Sequence, residues 1–405
     1  MGNIAHSNKV LYGIQGEGRG HASRSLHIIH QLMKKGCDVH IFSGGDALTL
    51  LDGKRIPINK IPILHFYNGK KDHLSLLKTA YRNFFQFLDL ILCIGRRYNA
   101  VLEKVVQLKP DFIITDFEPY LSKIAKKQGI PNLAINHQQI FLESKLPRLK
   151  GIRKFIKLLI FKIIIKILAG KPDRVITSSF YHFAPKQNSN ARFVGPFISE
   201  LIYRHKVVTG NHITVYLKDA AYLTYLLPII SDFKSTHFQI FSHWETKTKP
   251  ELETHIKLFS IDQKKFIASL ASSKALITTA GNQVIGEAAF MGKPILAFPK
   301  LGDVEQEING KALTFSGFGE SVPITNLTIN RLRRFMDKIP VYQQNIKKRI
   351  VTPENYDATA ETLAMIEDFV WEFVNNKKAV YEIKLGKMKI QFGGNRTRFS
   401  FVFVR

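Results

Sequence analysis

Cysteine and acidic residues are both scarce in this chain of 405 residues. The only cysteines are Cys37 and Cys93, which excludes a disulfide-rich scaffold and a zinc cluster made of cysteines. There are 32 aspartates and glutamates against 59 lysines and arginines, so the formal net charge is +27. This excess is compatible with an anionic partner, whether a phosphate group, a nucleic acid or a membrane surface.

Long uncharged apolar segments are absent as well. No window reaches about 18 such residues, so we expect no membrane-spanning helix. The polar residues 1–9 lead directly into a strand pattern, which predicts that there is no secretory signal and that the protein is cytoplasmic. Core-forming residues are abundant, since 45% of the chain is hydrophobic and 11% is aromatic. In a chain of this length they suffice for two or three folded domains.

Short apolar runs alternate with helical patterns along most of the chain. The runs predict strands at residues 9–14, 39–42, 61–66, 111–115, 132–135 and 174–177, and then at 212–217, 237–241, 275–278 and 294–298. Apolar strands separated by helices form parallel sheets that are covered on both faces. The sequence therefore predicts an α/β protein with two tandem doubly wound, Rossmann-like domains and a cleft between them.

The domain boundaries follow from punctuation and composition. Gly195 and Pro196 predict the end of the first domain, because this pair interrupts regular structure. We expect domains at residues 1–198 and 205–340, a helical segment at 341–376 that packs back, and a basic, hairpin-like tail at 377–405. The sequence indicates no role for that tail.

The first glycine-rich loop, residues 16–24, joins the first strand to the first helix. Its glycines, among them Gly18 and Gly20, allow close approach to a ligand, and the helix N-terminus attracts anions. The spacing fits neither a dinucleotide fingerprint nor a P-loop, and a tight turn would also explain it. His21 favours a functional loop, because the helix dipole disfavours an imidazolium there and leaves a neutral base.

A carboxylate partner for His21 is expected at the end of the strand at 111–115. The carboxyl ends of parallel strands line the ligand crevice of an α/β sheet, which places Asp116 at the same edge as His21. An aspartate there can orient the imidazole and stabilise its protonated form, so we predict a catalytic pair. Asp116 could instead cap the helix that begins near Pro119, and Glu118 is a competing carboxylate.

A second strand, glycine turn and helix lie at residues 278–289. The helix N-terminus near Gly281 and Asn282 is a second candidate anion site. Glu287 lies further along the same helix, where a carboxylate can accept both hydroxyls of a ribose. The turn after the next strand carries polar side chains that can bond sugar hydroxyls: Asp303, Glu305 and Gln306.

These motifs resemble the donor-binding half of GT-B glycosyltransferases, and most of all the MurG-like branch, which is similar to glycosyltransferase family 28. The resemblance rests on a fixed order of features: the Gly281 turn, Glu287, the strand after Gly292-x-Pro294, Asp303-x-Glu305-Gln306 and Asn309. The first loop resembles the glycine-rich loop of the same family. The pair of His21 and Asp116 is similar to the His–Asp dyad of plant-type sugar transferases.

The resemblance implies an inverting, metal-independent glycosyltransferase with no cofactor beyond its donor. A nucleotide-sugar, with UDP as the favoured nucleotide, would bind the C-terminal domain, and a lipid-linked or cell-surface glycan acceptor would bind the N-terminal one. The residues predicted at the nucleotide-sugar are Gly18, Gly20, Gly281, Asn282, Glu287, Glu305 and Gln306.

Three residues are candidates for the acceptor side: Arg24, Glu118 and His137. Arg24 lies one turn into the first helix, where it could pair with an acceptor phosphate or be solvated. His137 follows another strand, where it could contact the acceptor or make only a structural hydrogen bond.

Residues 152–169 contain only apolar and basic side chains, thirteen and five respectively. We predict a helix whose uncharged seam packs on the domain: Ile152, Ile156, Leu159, Ile160, Ile163 and Ile167. Its other face mixes both types, which favours an anionic membrane surface: Arg153, Lys154, Lys157, Phe161, Lys162 and Lys166. We therefore expect peripheral association with the inner face of the plasma membrane, unless lysine stems and a neighbouring loop cover this face.

Two other functions are compatible with parts of the sequence. A non-hydrolysing sugar-nucleotide 2-epimerase shares the fold, but the acidic and basic residues that it needs around the sugar are not found. A non-catalytic nucleic-acid-binding protein would explain the charge of +27. Such a protein needs basic residues interleaved with exposed aromatics, whereas the densest basic stretch here is aliphatic, so we expect no nucleic-acid partner.

Overall fold

The computed structural model describes residues 8–17, 20–51, 53, 55–65, 67, 76–147, 151–243 and 252–375. Within these residues the chain forms two parallel β-sheets with helices on both faces. The tail predicted at 377–405 lies outside the described residues. The α/β class and the tandem arrangement predicted from the alternation of patterns are confirmed.

The first sheet has seven strands in the order β3-β2-β1-β4-β5-β6-β7, all parallel. Their bounds are β1 (Lys9–Ile14), β2 (Asp38–Ser43), β3 (Ile58–Lys60), β4 (Phe112–Asp116), β5 (Asn132–Asn136), β6 (Arg174–Ser178) and β7 (Ala191–Val194). The chain winds outward from β1 to β3 and then returns to β4. This reversal leaves a crevice at the carboxyl ends of β1 and β4.

The helices that accompany this sheet are α1 (Gly20–Lys34), α2 (Leu48–Leu51), α3 (Leu76–Arg82), α4 (Phe84–Leu92), α5 (Arg96–Leu108), α6 (Pro119–Gln128), α7 (Ile140–Glu143) and α8 (Ile152–Ala169). Helix α1 packs on one face of the sheet, and α5, α6 and α8 pack on the other. We call the first sheet and these helices the N-terminal lobe.

The second sheet has six parallel strands in the order β10-β9-β8-β11-β12-β13. They are β8 (His212–Tyr216), β9 (His237–Ser242), β10 (Ile256–Ser260), β11 (Ala275–Thr279), β12 (Ile295–Phe298) and β13 (Gly319–Ser321). After a short connecting helix α9 (Glu200–Tyr203), the helices are α10 (Leu223–Ile230), α11 (Gln263–Ala271), α12 (Asn282–Phe290), α13 (Val304–Ser316), α14 (Ile329–Asp337), α15 (Ile339–Arg349) and α16 (Pro353–Tyr356). The sheet and helices α10–α16 form the C-terminal lobe.

The last described helix, α17 (Thr359–Val370), returns to the N-terminal lobe and ends in a π-helical turn, Trp371–Asn375. Ile366 and Phe369 are buried among side chains of the first sheet, and the Phe369 ring meets the edge of Phe112. Helix α17 therefore ties the far end of the described chain to the first sheet.

Strand predictions fail at the sheet edges. The strand predicted at 61–66 is wrong over its described residues 61–65, because the pairing residues are Ile58–Lys60 and Pro62 lacks the N–H that a ladder needs. The sequence also missed β7, β10 and β13, which are all edge strands. An edge strand is covered less completely, so its sequence need not be apolar throughout.

Helix α8 lies where it was predicted, but a different face packs on the protein. The buried side chains are Leu158, Ile165 and Leu168. Five of the six residues of the predicted seam are solvent-exposed, from 39% for Ile160 to 71% for Ile152, and Ile167 is half-buried. Both faces have the same helical spacing, so periodicity could not show which of them packs on the protein. The prediction chose the face without charges, and this criterion was wrong. No helix in the described part of the chain is long and apolar enough to cross a bilayer.

Candidate active site

A cavity of about 370 Å³ lies between the two lobes, at the carboxyl ends of their strands. The N-terminal lobe contributes part of the α1 loop and first turns, and Gln138 after β5. The C-terminal lobe contributes residues that follow β8 and β11 and the first turn of α13. We call this cavity the cleft.

His21 and Asp116 meet at the edge of the first sheet, as the sequence predicted. Asp116 is the last residue of β4 and pairs in register with Ile14 of β1, and it is fully buried. His21, in the first turn of α1, lines the cleft, and its Nδ1 lies 2.8 Å from Asp116 Oδ1. The imidazole also stacks on the ring of Phe117, which has a positive φ of 56° and reverses the chain after β4.

Arg24 occupies a place that the sequence did not indicate. Its Nε donates to Asp116 Oδ2 at 2.6 Å and its Nη2 donates to Asp116 Oδ1 at 2.5 Å. The Ser25 hydroxyl adds a bond of 3.1 Å to Oδ2. Arg24 is only 5% exposed, so it is not solvated, and its guanidinium is committed to Asp116 instead of being held free for an acceptor phosphate.

The charges of this cluster follow from burial and pairing. Burial favours a neutral carboxyl, but the positive charges and hydrogen bonds of Arg24 and His21 prevail and lower the pKa of Asp116 to about 2. For His21, burial lowers the pKa, the charge of Asp116 opposes this shift, and the charge of Arg24 adds to it. At neutral pH the aspartate is therefore ionised and the imidazole is neutral.

The opposite wall of the cleft begins at Gly281, which caps α12. Asn282 is buried, and its Oδ1 accepts hydrogen bonds from Ser179 Oγ at 3.0 Å and from Phe180 N at 3.3 Å. Its Nδ2 has no partner among the described residues. A buried amide donor beside the free N–H groups of a helix N-terminus is suited to an anion.

Glu287 also lines the cleft, one turn further along α12. Gln283 Nε2 donates to Glu287 Oε1 at 2.9 Å and to the Phe197 carbonyl at 2.7 Å, so the segment between the lobes helps to hold this carboxyl. Burial raises the pKa of Glu287 to about 7. Near neutral pH the group can thus accept hydrogen bonds in one form and donate one in the other.

The turn before α13 brings Glu305 and Gln306 to the cleft. Asp303 caps the helix by accepting from Gln306 N at 3.1 Å, while Gln306 Oε1 accepts from Lys300 N at 3.0 Å. Glu305 Oε2 accepts from Gln138 Nε2 of the N-terminal lobe at 3.3 Å. Burial, together with the nearby Asp303, raises the pKa of Glu305 to about 7.

Two predicted acceptor residues lie away from the cleft. Both oxygens of Glu118 accept backbone amides, from Tyr120 at 2.8 Å and from Leu121 at 2.7 Å, so Glu118 and not Asp116 caps α6. His137 is fully buried and lies 3.2 Å from both the Ser178 carbonyl and Asn309 Oδ1. This placement fits the alternative in which His137 makes only a structural hydrogen bond, and it does not fit direct contact with an acceptor.

One of the two remaining residues predicted at the donor lies in the described part of the chain. Gly20 begins α1 and lines the cleft, whereas Gly18 lies outside the described residues. The sequence missed several cleft residues: Tyr216, Lys218, Gln263, Phe266, Thr279, Gln283 and Gln138. Tyr216, Lys218 and Thr279 end or follow predicted strands, so their position at the carboxyl edge was the signal that could have identified them.

The six residues predicted at a membrane all lie on α8, outside the cleft lining. Two of them contact the protein, since Lys154 pairs with Glu307 of α13 at 2.7 Å and Phe161 packs on Phe141. Lys162 is partly buried, and burial and the charge of Lys186 lower its pKa. The other three are partly or fully exposed: Arg153, Lys157 and Lys166.

The chain is similar in sequence to known glycosyltransferases. Residues 8–340 match the family model described as glycosyl transferase family 1. A protein of Methanosarcina acetivorans named uncharacterized glycosyltransferase is 25% identical over 333 residues, which cover 77% of this chain and 84% of that protein. A protein of Methanosarcina mazei with the same name is 24% identical over the same shares.

Solved structures match over almost the whole chain. The glycotransferase of kitacinnamycin superposes with a TM-score of 0.64 at 14% identity, covering 90% of this chain and 99% of that one. MurG of Acinetobacter baumannii superposes with a TM-score of 0.56 at 16% identity, covering 89% of this chain and 99% of that one. At such identities these likenesses concern the fold.

Proposed function

The chain belongs to glycosyl transferase family 1 and is a glycosyltransferase of the GT-B type, and from this we propose that it is an inverting enzyme whose base is His21. The donor is a nucleotide-sugar, with UDP as the favoured nucleotide, and it binds the C-terminal lobe. The acceptor hydroxyl binds on the N-terminal lobe, and no resident metal takes part.

One observation carries the assignment of the base: a buried, ionised aspartate is hydrogen-bonded to an imidazole that faces the donor wall across one cleft. With Nδ1–H donated to Asp116, Nε2 is free to take the acceptor proton. The acceptor oxygen then bonds to the anomeric carbon while the bond from that carbon to the phosphate oxygen breaks on the opposite face, which inverts the configuration.

The leaving diphosphate gains negative charge as that bond breaks. The N-terminus of α12 and Nδ2 of Asn282, which has no partner in the described part of the chain, lie on the donor wall, where they can stabilise this charge. The proton ends on His21, where the ionised Asp116 stabilises the imidazolium. General-base catalysis of this kind contributes roughly 10²–10⁴-fold in rate.

The test starts with a panel of nucleotide-sugars, including UDP-glucose, UDP-N-acetylglucosamine and GDP-mannose, screened by thermal shift against the full chain. The donor that binds is then assayed with a membrane-lipid extract as the source of acceptor. We expect His21→Ala and Asp116→Asn to bind the donor normally and to lose transfer by about 100-fold or more. Turnover at the wild-type rate in His21→Ala would refute the base, and acceptor-free conversion of the donor into its 2-epimer would establish the epimerase instead.

We also propose that the enzyme works at the anionic inner face of the plasma membrane on a lipid-linked or cell-surface glycan acceptor. The supporting observation is the outward face of α8, where apolar side chains alternate with cations. Its exposed members include Phe155, Leu159 and Ile163, each at least 50% exposed, flanked by Arg153 and Lys166. Such a face suits an anionic lipid interface better than water.

Flotation with vesicles tests this second proposal. Wild type is expected to bind vesicles that contain phosphatidylglycerol and to leave pure phosphatidylcholine vesicles unbound. Arg153→Glu with Lys166→Glu should weaken binding by about tenfold or more, since each basic residue near such a surface contributes about 1 kcal/mol. Lys347→Glu with Lys348→Glu on α15 is the charge-matched control, and equal loss in both double variants would show that only net charge matters.

A further inference from the structure

We propose that Arg24 is a positioning residue that completes a three-membered unit with His21 and Asp116. It fixes the carboxylate in one orientation, and its positive charge opposes protonation of the imidazole. The inference rests on the proposed role of His21 as the base. It adds Arg24, whose role follows from its contacts with Asp116 and His21.

The carboxylate of Asp116 is held on both oxygens. Arg24 bridges them side-on, with Nη2 on Oδ1 at 2.5 Å and Nε on Oδ2 at 2.6 Å. Rotation of the carboxylate would break both bonds and the third one from Ser25 Oγ. A bidentate arginine pair gives geometric specificity that a single bond does not give, so the oxygen that faces His21 has one available position.

The same arginine also constrains the tautomer of His21. Nδ1 of His21 lies 2.8 Å from both Asp116 Oδ1 and Arg24 Nη2, and it cannot donate to the first and accept from the second at once. Ionised Asp116 can only accept. Nη2 has two hydrogens and two oxygens within reach, Asp116 Oδ1 at 2.5 Å and Gln138 Oε1 at 3.4 Å. The proton therefore belongs on Nδ1, which leaves Nε2 as the basic nitrogen.

The charge balance distinguishes this unit from a simple His–Asp pair. With Arg24 present the resting unit is neutral overall, whereas the pair alone would carry one negative charge and bind a proton more readily. A protonated His21 would lie beside the guanidinium, with the fully buried Asp116 as the counter-charge in contact. Glu305, across the cleft, and the buried phenol of Tyr12 also act on Arg24, and the buried imidazole of His137 interacts with both Arg24 and His21. The arrangement keeps the base deprotonated while retaining a counter-ion for the imidazolium.

The local sequence builds this unit into one helix. His21, Arg24 and Ser25 are three and four residues apart, so α1 presents them on a single face towards the end of β4. A lysine at position 24 keeps the charge but has no planar fork to bridge two oxygens. Charge and geometry can therefore be separated by choosing the substitution.

The experiment is a pH titration of His21 by NMR in the full chain labelled with ¹³C and ¹⁵N histidine, with the signal assigned through His21→Gln. Arg24→Gln should raise the titration midpoint of His21 by about one pH unit or more, since a unit charge at this distance is worth that much or more even when strongly screened. Arg24→Lys should leave the midpoint close to that of wild type. Arg97→Gln, which breaks a surface pair with Asp89 at 3.3 Å, is the matched control and should change nothing.

Kinetics supply a second measurement. The donor identified in the thermal-shift panel is used to measure its hydrolysis without acceptor and its transfer to acceptor. In both assays we expect Arg24→Lys to lower kcat by about tenfold or more and to leave the KM for the donor unchanged. A purely structural arginine would instead lower the melting temperature without moving the His21 midpoint. An unchanged midpoint in folded Arg24→Gln would overturn the inference.

Wild type alone provides a test if Arg24→Gln does not fold. The ¹⁵N shifts of His21 should show the proton on Nδ1, and a proton on Nε2 would contradict the arrangement. The two proposals also fail separately. Normal turnover in His21→Ala refutes the base, whereas an inactive His21→Ala combined with an unmoved midpoint in Arg24→Gln refutes only the role of Arg24.

Discussion

At the scale of single residues, the site depends on buried polar side chains. Burying such groups costs free energy, and hydrogen bonds to neighbouring side chains offset that cost. The pair of His21 and Asp116 was predictable, because both positions follow strands that end at one sheet edge. The alternative in which Asp116 caps the following helix is wrong, because Glu118 directly precedes Pro119 and holds the N-cap position. The role of Arg24 could not be predicted from the sequence. Helical spacing indicates which face of α1 carries Arg24, but not that Asp116 lies against that face.

Lys293, outside the cleft, also shows the free-energy cost of burying a polar group. It is 2% exposed, and its Nζ donates to the carbonyls of Val208 at 2.6 Å and Ser273 at 2.8 Å. These partners are dipoles and carry no full charge, so burial disfavours the ammonium and lowers the pKa of Lys293 to about 8. Between about pH 8 and 10 the unfolded chain keeps a proton that the folded chain has lost.

We therefore predict that raising the pH through this window stabilises wild type relative to Lys293→Met. The sign follows because stability rises with pH wherever the unfolded state binds more protons. The difference in unfolding free energy should shift towards wild type by about 2–3 kcal/mol between pH 7.5 and 10, as an upper estimate. Urea unfolding at four pH values measures it. Lys264→Met, at an exposed lysine on α11, should show a constant difference, and a constant difference for Lys293→Met would contradict the shift.

At the scale of elements, the sequence predicts type better than orientation. Parallel strands buried on both faces are mostly apolar and were found, whereas the edge strands β3, β7, β10 and β13 were missed or misplaced. Helix α8 has two apolar faces of equal period, so its location was predictable and its buried side was not. The choice depends on α6 and α13, which pack against it from distant parts of the chain.

Helix α12 is positioned by a glycine at its contact with the segment between the lobes. A Cβ on Gly286 would lie 2.8 Å from Pro196 Cβ and 3.1 Å from Pro196 Cγ. Asn282, one turn before Gly286, and Glu287, directly after it, both line the cleft. Alanine would favour the helix by about 1 kcal/mol, but it needs space that the proline fills.

We predict that Gly286→Ala destabilises the protein by about 1–3 kcal/mol, because overpacking outweighs helix propensity. Chemical unfolding measures this cost. In the background of Pro196→Gly, which removes both clashing carbons, the same substitution should cost at least about 1 kcal/mol less, as a double-mutant cycle reveals. Equal cost in both backgrounds would mean that the contact with Pro196 does not set the position of α12.

At the scale of the whole molecule, buried polar bonds join the two lobes beside the cleft, in addition to a shared apolar cluster. Asn309, on α13, is fully buried, and its Oδ1 accepts from Tyr181 Oη at 3.0 Å and lies 3.2 Å from His137 Nε2, both in the N-terminal lobe. Its Nδ2 donates to the Ala280 carbonyl at 3.0 Å, directly before the Gly281 turn. Alternation along the sequence predicted two lobes, but such contacts between residues more than 100 positions apart set their relative placement and leave no local pattern.

Replacing Asn309 by leucine removes these contacts, so the buried Tyr181 hydroxyl, Nε2 of His137 and the Ala280 carbonyl all lose Asn309 as a partner. Each unsatisfied group costs about 1–3 kcal/mol, so Asn309→Leu should lower the unfolding free energy by at least about 3 kcal/mol. The control is Asn345→Leu, which removes one bond of 3.2 Å to the Gly317 carbonyl within the C-terminal lobe and should cost about 1 kcal/mol. Calorimetry of both variants measures the two losses. A loss for Asn309→Leu no larger than that of the control would show that this network does not hold the lobes together.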